Sequence, residues 1–243
     1  MKNIFFVLLS VSLFSTMLQA QFYIGPYYGL KEFGLKGGAY KVLNGQKEGQ
    51  VSTDASKDVD NVGFSIGYQV IPAGALGDWY KLDVGIDASY SSVPFFERAW
   101  DYVNGSGSFA GLGMRNGTTR NYSFDLMPIH RLNIPTFQFL SPFAGVGLGI
   151  NLFNTSDITV PKHGAQPETW KGNNQVKLGV IVFYGALIRA SDLIKPYVML
   201  KHYIPFGNET QLTSDEQLGN VIIEDVPGYF SIVAGVRVNF DLK

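Results

Sequence analysis

Apolar residues recur at every second position in eight stretches of this chain. The last stretch has the clearest pattern, because one face is wholly apolar and the other is mostly small, polar or charged. The apolar face consists of Phe230, Ile232, Ala234, Val236, Val238, Phe240 and Leu242. The opposite face includes Ser231, Gly235, Arg237, Asn239 and Asp241. Successive side chains of a β-strand point to opposite sides of a sheet, so this period predicts strands.

The connections between the predicted strands alternate between long and short. The strands are predicted at about 22–36, 61–71, 79–92, 119–132, 136–153, 174–190, 194–205 and 228–242. Long loops are predicted at about 37–60, 93–118, 154–173 and 206–227. In outer-membrane barrels long loops face the exterior and short turns face the periplasm. The pattern therefore predicts an all-β fold, an eight-stranded antiparallel up-and-down transmembrane β-barrel.

The N-terminus has the layout of a secretory signal peptide. Lys2 precedes an apolar run from Ile4 to Leu18, and Leu18-Gln19-Ala20 precedes Gln21. The run is shorter than the ~20 residues that a membrane-spanning helix needs, which disfavours the alternative of a permanent anchor. We expect removal of residues 1–20, which leaves a barrel domain at 21–243 in the outer membrane of a Gram-negative bacterium.

Composition excludes several other classes of protein. The chain is 46% hydrophobic and only 16% charged, against roughly 25% charged in an ordinary soluble domain. It contains no cysteine, which excludes a disulfide scaffold and a thiol nucleophile. A net charge of −1 gives no electrostatic case for binding nucleic acid. A soluble lipocalin-like barrel is an alternative, but its outer surface would then be the face rich in Gly and Ser and poor in Glu and Lys.

Two segments resemble strands of the small eight-stranded outer-membrane barrels of the OmpA, OmpX and OmpW kind. One is the glycine-alternating run from Ser141 to Ile150, and the other is the C-terminal run from Val236 to Lys243. That family commonly ends on an aromatic residue, and this chain departs from it. Lys243 is the last residue, and Phe240 lies three residues earlier. The resemblance implies outer-membrane lipid and, during biogenesis, the barrel-assembly machinery as partners. It does not imply one activity.

Charged residues on the polar faces of the strands are predicted to fill the lumen. Opposite signs fall on opposing walls, and the five members of this predicted network are Asp83, Asp87, Asp125, Lys201 and Arg237. Counting from the turns puts Asp87, Asp125 and Lys201 at one height and Arg237 somewhat lower. Buried charges are tolerated when they are paired, so we expect at least these four to pair across the lumen and block it. A functional gate or proton path is the alternative.

Aromatic residues near the strand ends fit two interfacial girdles. One girdle is predicted from Phe22, Tyr80, Phe137, Tyr197 and Phe240, and the other from Tyr90, Tyr122, Phe153, Tyr203 and Tyr229. Further aromatics lie in the long loops beside Gly, Ser and Asn, where they are candidates for contact with a ligand or partner. These loop candidates are Phe95, Phe96, Trp100, Tyr102 and Trp170. Packing of these residues on the rim or on each other is the alternative.

The sequence contains few residues in a pattern that would support catalysis or metal binding. None of His130, His163 and His202 has a serine two residues later, as the lipid A deacylases of this shape have. Asp54, Asp58 and Asp60 lack the spacing of a dedicated calcium loop. We therefore expect no catalytic residues, no metal and no cofactor. The expected role is envelope structure or surface binding through the external loops, with a narrow channel or, less favoured, a lipid-modifying enzyme as alternatives.

Overall fold

The computed structural model describes most of the chain after residue 20. The described residues are 21–43, 46–71, 79–94, 99–104, 107–113, 117–160, 168–207, 210–214, 220–223 and 228–241. Within these ranges, side chains are not described at 34–43, 46–57, 71, 93–94, 99–104, 107–113, 158, 160, 168, 170, 210–214, 220–223 and 241. The predicted signal peptide at 1–20 lies outside the described residues. No helix in these ranges is long and apolar enough to span a bilayer.

Eight long antiparallel strands close into a barrel. They are β1 (Gln21–Leu43), β2 (Gln46–Ile71), β3 (Tyr80–Pro94), β6 (Thr118–Leu132), β7 (Leu140–Thr155), β10 (Asn174–Ile188), β11 (Ile194–Pro205) and β14 (Gly228–Asp241). Each pairs with the next in this order, and β14 pairs with β1 from Gln21↔Asp241 to Gly34↔Gly228, which closes the ring. The predicted all-β fold, an eight-stranded antiparallel barrel, is confirmed.

The long connections contain strands, where the sequence pattern predicts loops. β1 and β2 continue to pair from the barrel to Leu43↔Gln46, so most of 37–60 is a protruding hairpin. The other three connections contain the short strands β4 (Ala99–Asn104), β5 (Gly107–Gly113), β8 (Ile158–Val160), β9 (Glu168–Lys171), β12 (Thr210–Ser214) and β13 (Asn220–Ile223). β4 pairs with the protruding part of β2, and β13 pairs with that of β1. This end of the barrel thus extends into a sheet; we call it the external end, and the end with the short turns the periplasmic end, as the sequence pattern predicts.

The alternation of side chains is inside-out relative to a soluble barrel. On β7, the apolar side chains of Val146, Leu148 and Ile150 face outward and are 59%, 57% and 44% exposed. Between them, Gly147, Gly149 and Asn151 face the lumen and are buried. The other barrel strands repeat this arrangement, with charged and polar side chains buried inside. The lipocalin alternative requires the opposite burial and is therefore excluded.

Four of the aromatic residues predicted for the girdles face the lumen instead. These are Tyr197, Phe153, Tyr203 and Tyr229, which are all buried. Tyr203 and Tyr229 stack with their ring centroids 5.1 Å apart. Each lies an even number of positions from an inward-facing polar or charged residue of its own strand. The alternation of side chains therefore turns it towards the lumen, wherever it lies along the strand. The exposed members, among them Phe22, Phe137 and Phe240, remain on the outer surface.

Glycines make room for the large side chains inside the barrel. A Cβ atom on Gly63 would lie 2.4 Å from the Tyr27 ring, and one on Gly145 would lie 2.4 Å from the Phe183 ring. A real Cβ does not approach another heavy atom that closely, so each aromatic ring packs directly on a glycine of the neighbouring wall. Within the glycine-alternating run of β7, Gly145 thus makes room for Phe183, and Gly149 lies against Ile181 and Asp125.

Candidate functional site

A lysine binds two carboxylates across the middle of the lumen. Lys201 Nζ on β11 lies 2.7 Å from Asp87 Oδ1 on β3 and 2.5 Å from Asp125 Oδ2 on β6. The three side chains are at most 1% exposed. Both carboxylates have hydroxyl donors as well, since Tyr27 donates to Asp87 at 2.6 Å and Ser123 donates to Asp125 at 2.9 Å. We call these five residues the central cluster.

A second group of charges lies nearer the periplasmic end. Asp83 on β3 accepts from Arg237 Nη1 of β14 at 2.7 Å and from Arg131 Nη2 of β6 at 3.2 Å. Arg237 also donates to Asn239 at 2.8 Å, and its guanidinium stacks on the Tyr23 ring with Cζ 3.7 Å from the centroid. Asp83, Arg131 and Arg237 form the lower cluster, in which two arginines share one buried carboxylate.

A buried lysine lies above the central cluster. Lys31 Nζ on β1 donates to Asn121 at 2.9 Å and to Ser89 at 3.4 Å, and it lies 4.1 Å from the centroid of the Tyr229 ring. The face of an aromatic ring attracts a cation. Amide, hydroxyl and ring contacts thus solvate an ammonium group that is 1% exposed.

Between the charged clusters the described lumen holds both apolar side chains and neutral polar ones, such as Asn61, Ser65 and Asn151. Ile181, Phe183, Met199 and Val233 are buried against the charged clusters. A cavity of about 30 Å³ remains beside Arg237 and Tyr23. That volume is enough for water and far below that of a sugar or a lipid chain. Chemically, the lumen is a packed core crossed by ion pairs.

The five charges that the sequence analysis assigns to a lumen network are all buried inside the barrel, but they form two clusters. Lys201, Asp87 and Asp125 meet as one group, whereas Arg237 pairs with Asp83 and not with the other three. Sequence reasoning missed Arg131 as a member. Its signal was available, because Arg131 has the same parity on β6 as Asp125.

The loop contact candidates are described in part. Phe95 and Phe96 lie outside the described residues. The backbones of Trp100 and Tyr102 lie in β4 and that of Trp170 lies in β9, but their side chains are outside the described set. The three thus belong to the external sheet and not to irregular loops.

An exposed carboxylate anchors the connection that contains Trp170. Asp157 accepts from the backbone N–H of Gly172 at 2.9 Å and from Lys171 Nζ at 2.9 Å. These two contacts hold the pKa of Asp157 below its ordinary value, with the Gly172 hydrogen bond as the larger cause. A carboxylate with a lowered pKa loses its contribution as the pH falls through that pKa, so this anchor weakens in acid and persists at neutral pH.

The two described histidines lie on the outer surface of the barrel. His130 faces outward, with Nδ1 2.8 Å from the Tyr80 hydroxyl, and His202 is exposed on the outer face of β11. His163 lies outside the described residues. Neither described ring adjoins a serine and a carboxylate, which a hydrolytic triad needs.

Acidic side chains near the outer rim do not form a metal site in the described part of the chain, where no group of three ligating residues comes together. Asp58 and Asp60 face outward and are exposed, and the side chain of Asp54 is not described. Tyr28 donates a hydrogen bond to Asp60. These groups mark the level at which the outer surface of β1 and β2 becomes polar.

Comparison with known proteins identifies a fold. No family model matches the chain, and no curated protein matches it. The solved structure of the outer membrane protein OprG from Pseudomonas aeruginosa superposes with a TM-score of 0.50 at 12% identity, covering 92% of this chain and 97% of OprG. The chain has the fold of a bacterial outer-membrane β-barrel.

A second outer-membrane barrel agrees with this assignment. A major outer membrane protein from Thermus thermophilus superposes with a TM-score of 0.50 at 11% identity. The alignment covers 89% of this chain and 99% of that protein. A shared fold does not determine a function, so the role of this barrel has to be argued from its own lumen and surface.

Proposed function

We propose that this protein is an integral outer-membrane barrel with a closed lumen and no enzymatic activity, which acts in the envelope by surface contact through its external sheet. The observation that carries the proposal is the set of buried ion pairs between opposite walls of the barrel. Lys201 reaches Asp87 and Asp125, and Arg237 reaches Asp83, all with side chains at most 4% exposed. A solute would have to break these pairs in order to pass.

The outer surface supports a location in lipid. Apolar side chains such as Phe64, Leu126 and Val198 are 48–50% exposed on three different strands. A continuous apolar surface around a monomer is unfavourable in water and favourable in the hydrocarbon region. Export by the predicted signal peptide and residence in a Gram-negative outer membrane are part of this proposal, and the apolar surface and the shared fold support the membrane location.

The external sheet supports the contact role. β8 with β9, and β12 with β13, join the protruding part of β1, while β4 and β5 join β2. This sheet lies beyond the apolar band and has Trp100, Tyr102 and Trp170 along its strands. Rigid aromatic side chains on an ordered support are the residues that most often dominate binding surfaces.

Planar-bilayer recording tests the closed lumen. The purified mature chain should insert without producing a steady, large conductance level, because ion pairs and packed side chains occupy the lumen. Heat-modifiable migration of the same preparation on a denaturing gel serves as the control for folding. A steady open level in most insertions would overturn the closed-lumen part of the proposal and favour the channel alternative.

Substitution of the aromatic residues of β4 tests the contact role. Cells that display Trp100→Ala/Tyr102→Ala should sediment together more slowly, and bind less to polystyrene beads, than cells that display the unaltered chain. Ser108→Ala on the neighbouring strand β5 is the matched control and should leave both readouts unchanged. Equal adherence of all three strains, at equal surface amounts of folded barrel, would contradict this role.

A further inference from the structure

Five basic side chains gather at the periplasmic end of the lumen. Lys81 on β3 is the register partner of Arg131 on β6, and Lys195 on β11 is the register partner of Arg237 on β14. Arg189 directly follows β10 and donates to Ser141 at the same end. Directly opposed residues of neighbouring strands have Cβ atoms ~5 Å apart, so like charges at such positions repel. Lys195 also lies within electrostatic range of Lys81 and Arg131.

Negative charge at this end is sparse among the described side chains. Asp83 is shared by Arg131 and Arg237, and Asp192, which is exposed in the turn after β10, attracts Lys195. Two carboxylates thus face five cations. A buried cluster with a surplus of positive charge is costly unless an anion balances it.

Two buried donors in the cluster have no partner. Arg131 Nε and Arg237 Nη2 make no hydrogen bond, although both guanidinium side chains are only 4% exposed. A buried charged donor without an acceptor is costly, and arginine donors are suited to the oxygens of phosphate-like anions. The cluster therefore has both the charge and the unpartnered donors of an oxyanion site.

The cluster is open to the periplasm through its lysines. Lys81 and Lys195 are half-buried, each close to the periplasmic end of its strand, whereas their register partners Arg131 and Arg237 are buried. An anion arriving from the periplasm would meet the two ammonium groups first and the guanidinium groups behind them. The surroundings of these charges become less solvated from the lysines to the arginines. Electrostatic attraction strengthens as the effective dielectric constant falls.

We propose that the periplasmic mouth of the barrel binds a phosphate-type oxyanion, which Lys81 and Lys195 attract and which the buried guanidinium groups of Arg131 and Arg237 stabilise by their charge. The anion is a free phosphate or the phosphate of a phospholipid headgroup with a net negative charge in the inner leaflet, so zwitterionic phosphatidylcholine serves as the lipid background. This site is independent of the external sheet, and it holds whether or not the proposed contact role is correct.

Titration with inorganic phosphate tests the site. The full mature chain is folded in a non-ionic detergent, and the ³¹P linewidth of phosphate is followed against protein concentration at low ionic strength. We expect saturable binding that weakens by about fivefold in Lys81→Gln/Lys195→Gln, because two partly exposed ion contacts are lost. This variant leaves the ion pairs of Asp83 intact, so the barrel should still show heat-modifiable migration.

Two controls separate a specific site from general attraction. Lys81→Arg/Lys195→Arg keeps the charges and should bind as the unaltered chain does. Arg120→Gln removes a positive charge from the exposed outer face at the opposite end of β6 and should also leave binding unchanged. Absence of saturable binding, or equal weakening by Arg120→Gln and by the lysine double variant, would overturn the proposal.

A parallel measurement distinguishes the two sources of phosphate. The thermal unfolding midpoint is measured in phosphatidylcholine vesicles with and without phosphatidylglycerol, in the absence of free phosphate. A rise with phosphatidylglycerol that disappears in Lys81→Gln/Lys195→Gln assigns the site to a lipid headgroup. A rise produced by free phosphate alone assigns it to the soluble anion, and no response to either would contradict the site.

Discussion

Replacement of Lys201 by methionine should destabilise the barrel by about 3–5 kcal/mol, the range for removing one partner of a buried ion pair. Methionine keeps much of the length of the lysine side chain but removes the charge that Asp87 and Asp125 share. Two carboxylates at most 1% exposed would then face each other without a cation. The measurement is reversible denaturant unfolding in lipid vesicles, followed by tryptophan fluorescence.

The chain has a matched ion pair for comparison. Lys171 and Asp157 are 2.9 Å apart, close to the 2.7 Å of Lys201 and Asp87, but both side chains are 54% exposed. Lys171→Met should therefore cost less than about 1 kcal/mol. Addition of Asp87→Asn and Asp125→Asn to Lys201→Met should recover part of the lost stability. Similar losses in Lys201→Met and Lys171→Met would mean that the central cluster is not a dry ion-pair core.

Replacement of Leu148 by arginine should cost about 2–4 kcal/mol in a bilayer, because a lipid-facing charge near the midplane of a barrel is that unfavourable. Leu148 lies in the middle of β7, points outward and is 57% exposed. If its surroundings were water, the same substitution would change stability by no more than about 0.5 kcal/mol. The large effect therefore depends on lipid, and the same unfolding assay measures it.

Position along the strand provides the control. Asn154 also faces outward on β7 and is exposed, but it lies near the external end of the strand. Asn154→Arg should cost about 0–1 kcal/mol, since the penalty for arginine falls towards the interface. If the two arginine variants unfold with the same free energy, the outer face of β7 does not cross a hydrocarbon layer.

The barrel could be predicted from the sequence because a membrane separates the two faces of each strand. Lipid requires apolar side chains outside while the lumen accepts polar ones, so β2, β3 and β7 alternate over the length that crosses the bilayer. The external strands have no such separation, since water reaches both of their faces. In the protruding parts of β1 and β2, around Gly37 and Lys47, the alternation fades although the pairing continues. The sequence pattern therefore predicts loops where the chain forms strands.

The lumen charges were predictable in identity and only partly in pairing. Parity along a strand decides whether a side chain faces inward, and Asp83, Lys201 and Arg237 are buried inside the barrel. Pairing depends on the relative height of strands on opposite walls, which the stagger of the closed barrel sets and no single strand encodes. Arg237 consequently meets Asp83. The stagger also brings Arg131 to the same carboxylate.

The ion pairs of the lumen join parts of the chain that are distant in sequence. Asp87 and Lys201 are separated by 114 positions, and Asp83 and Arg237 by 154. The carboxylates belong to β3 and β6, and most of their cations arrive with β11 and β14. A partly assembled sheet would therefore leave Asp87 and Asp125 without Lys201 until β11 is in place, and Asp83 without Arg237 until β14 is in place. Addition of these last two strands neutralises all three, which makes assembly cooperative and disfavours stable half-built intermediates in the membrane.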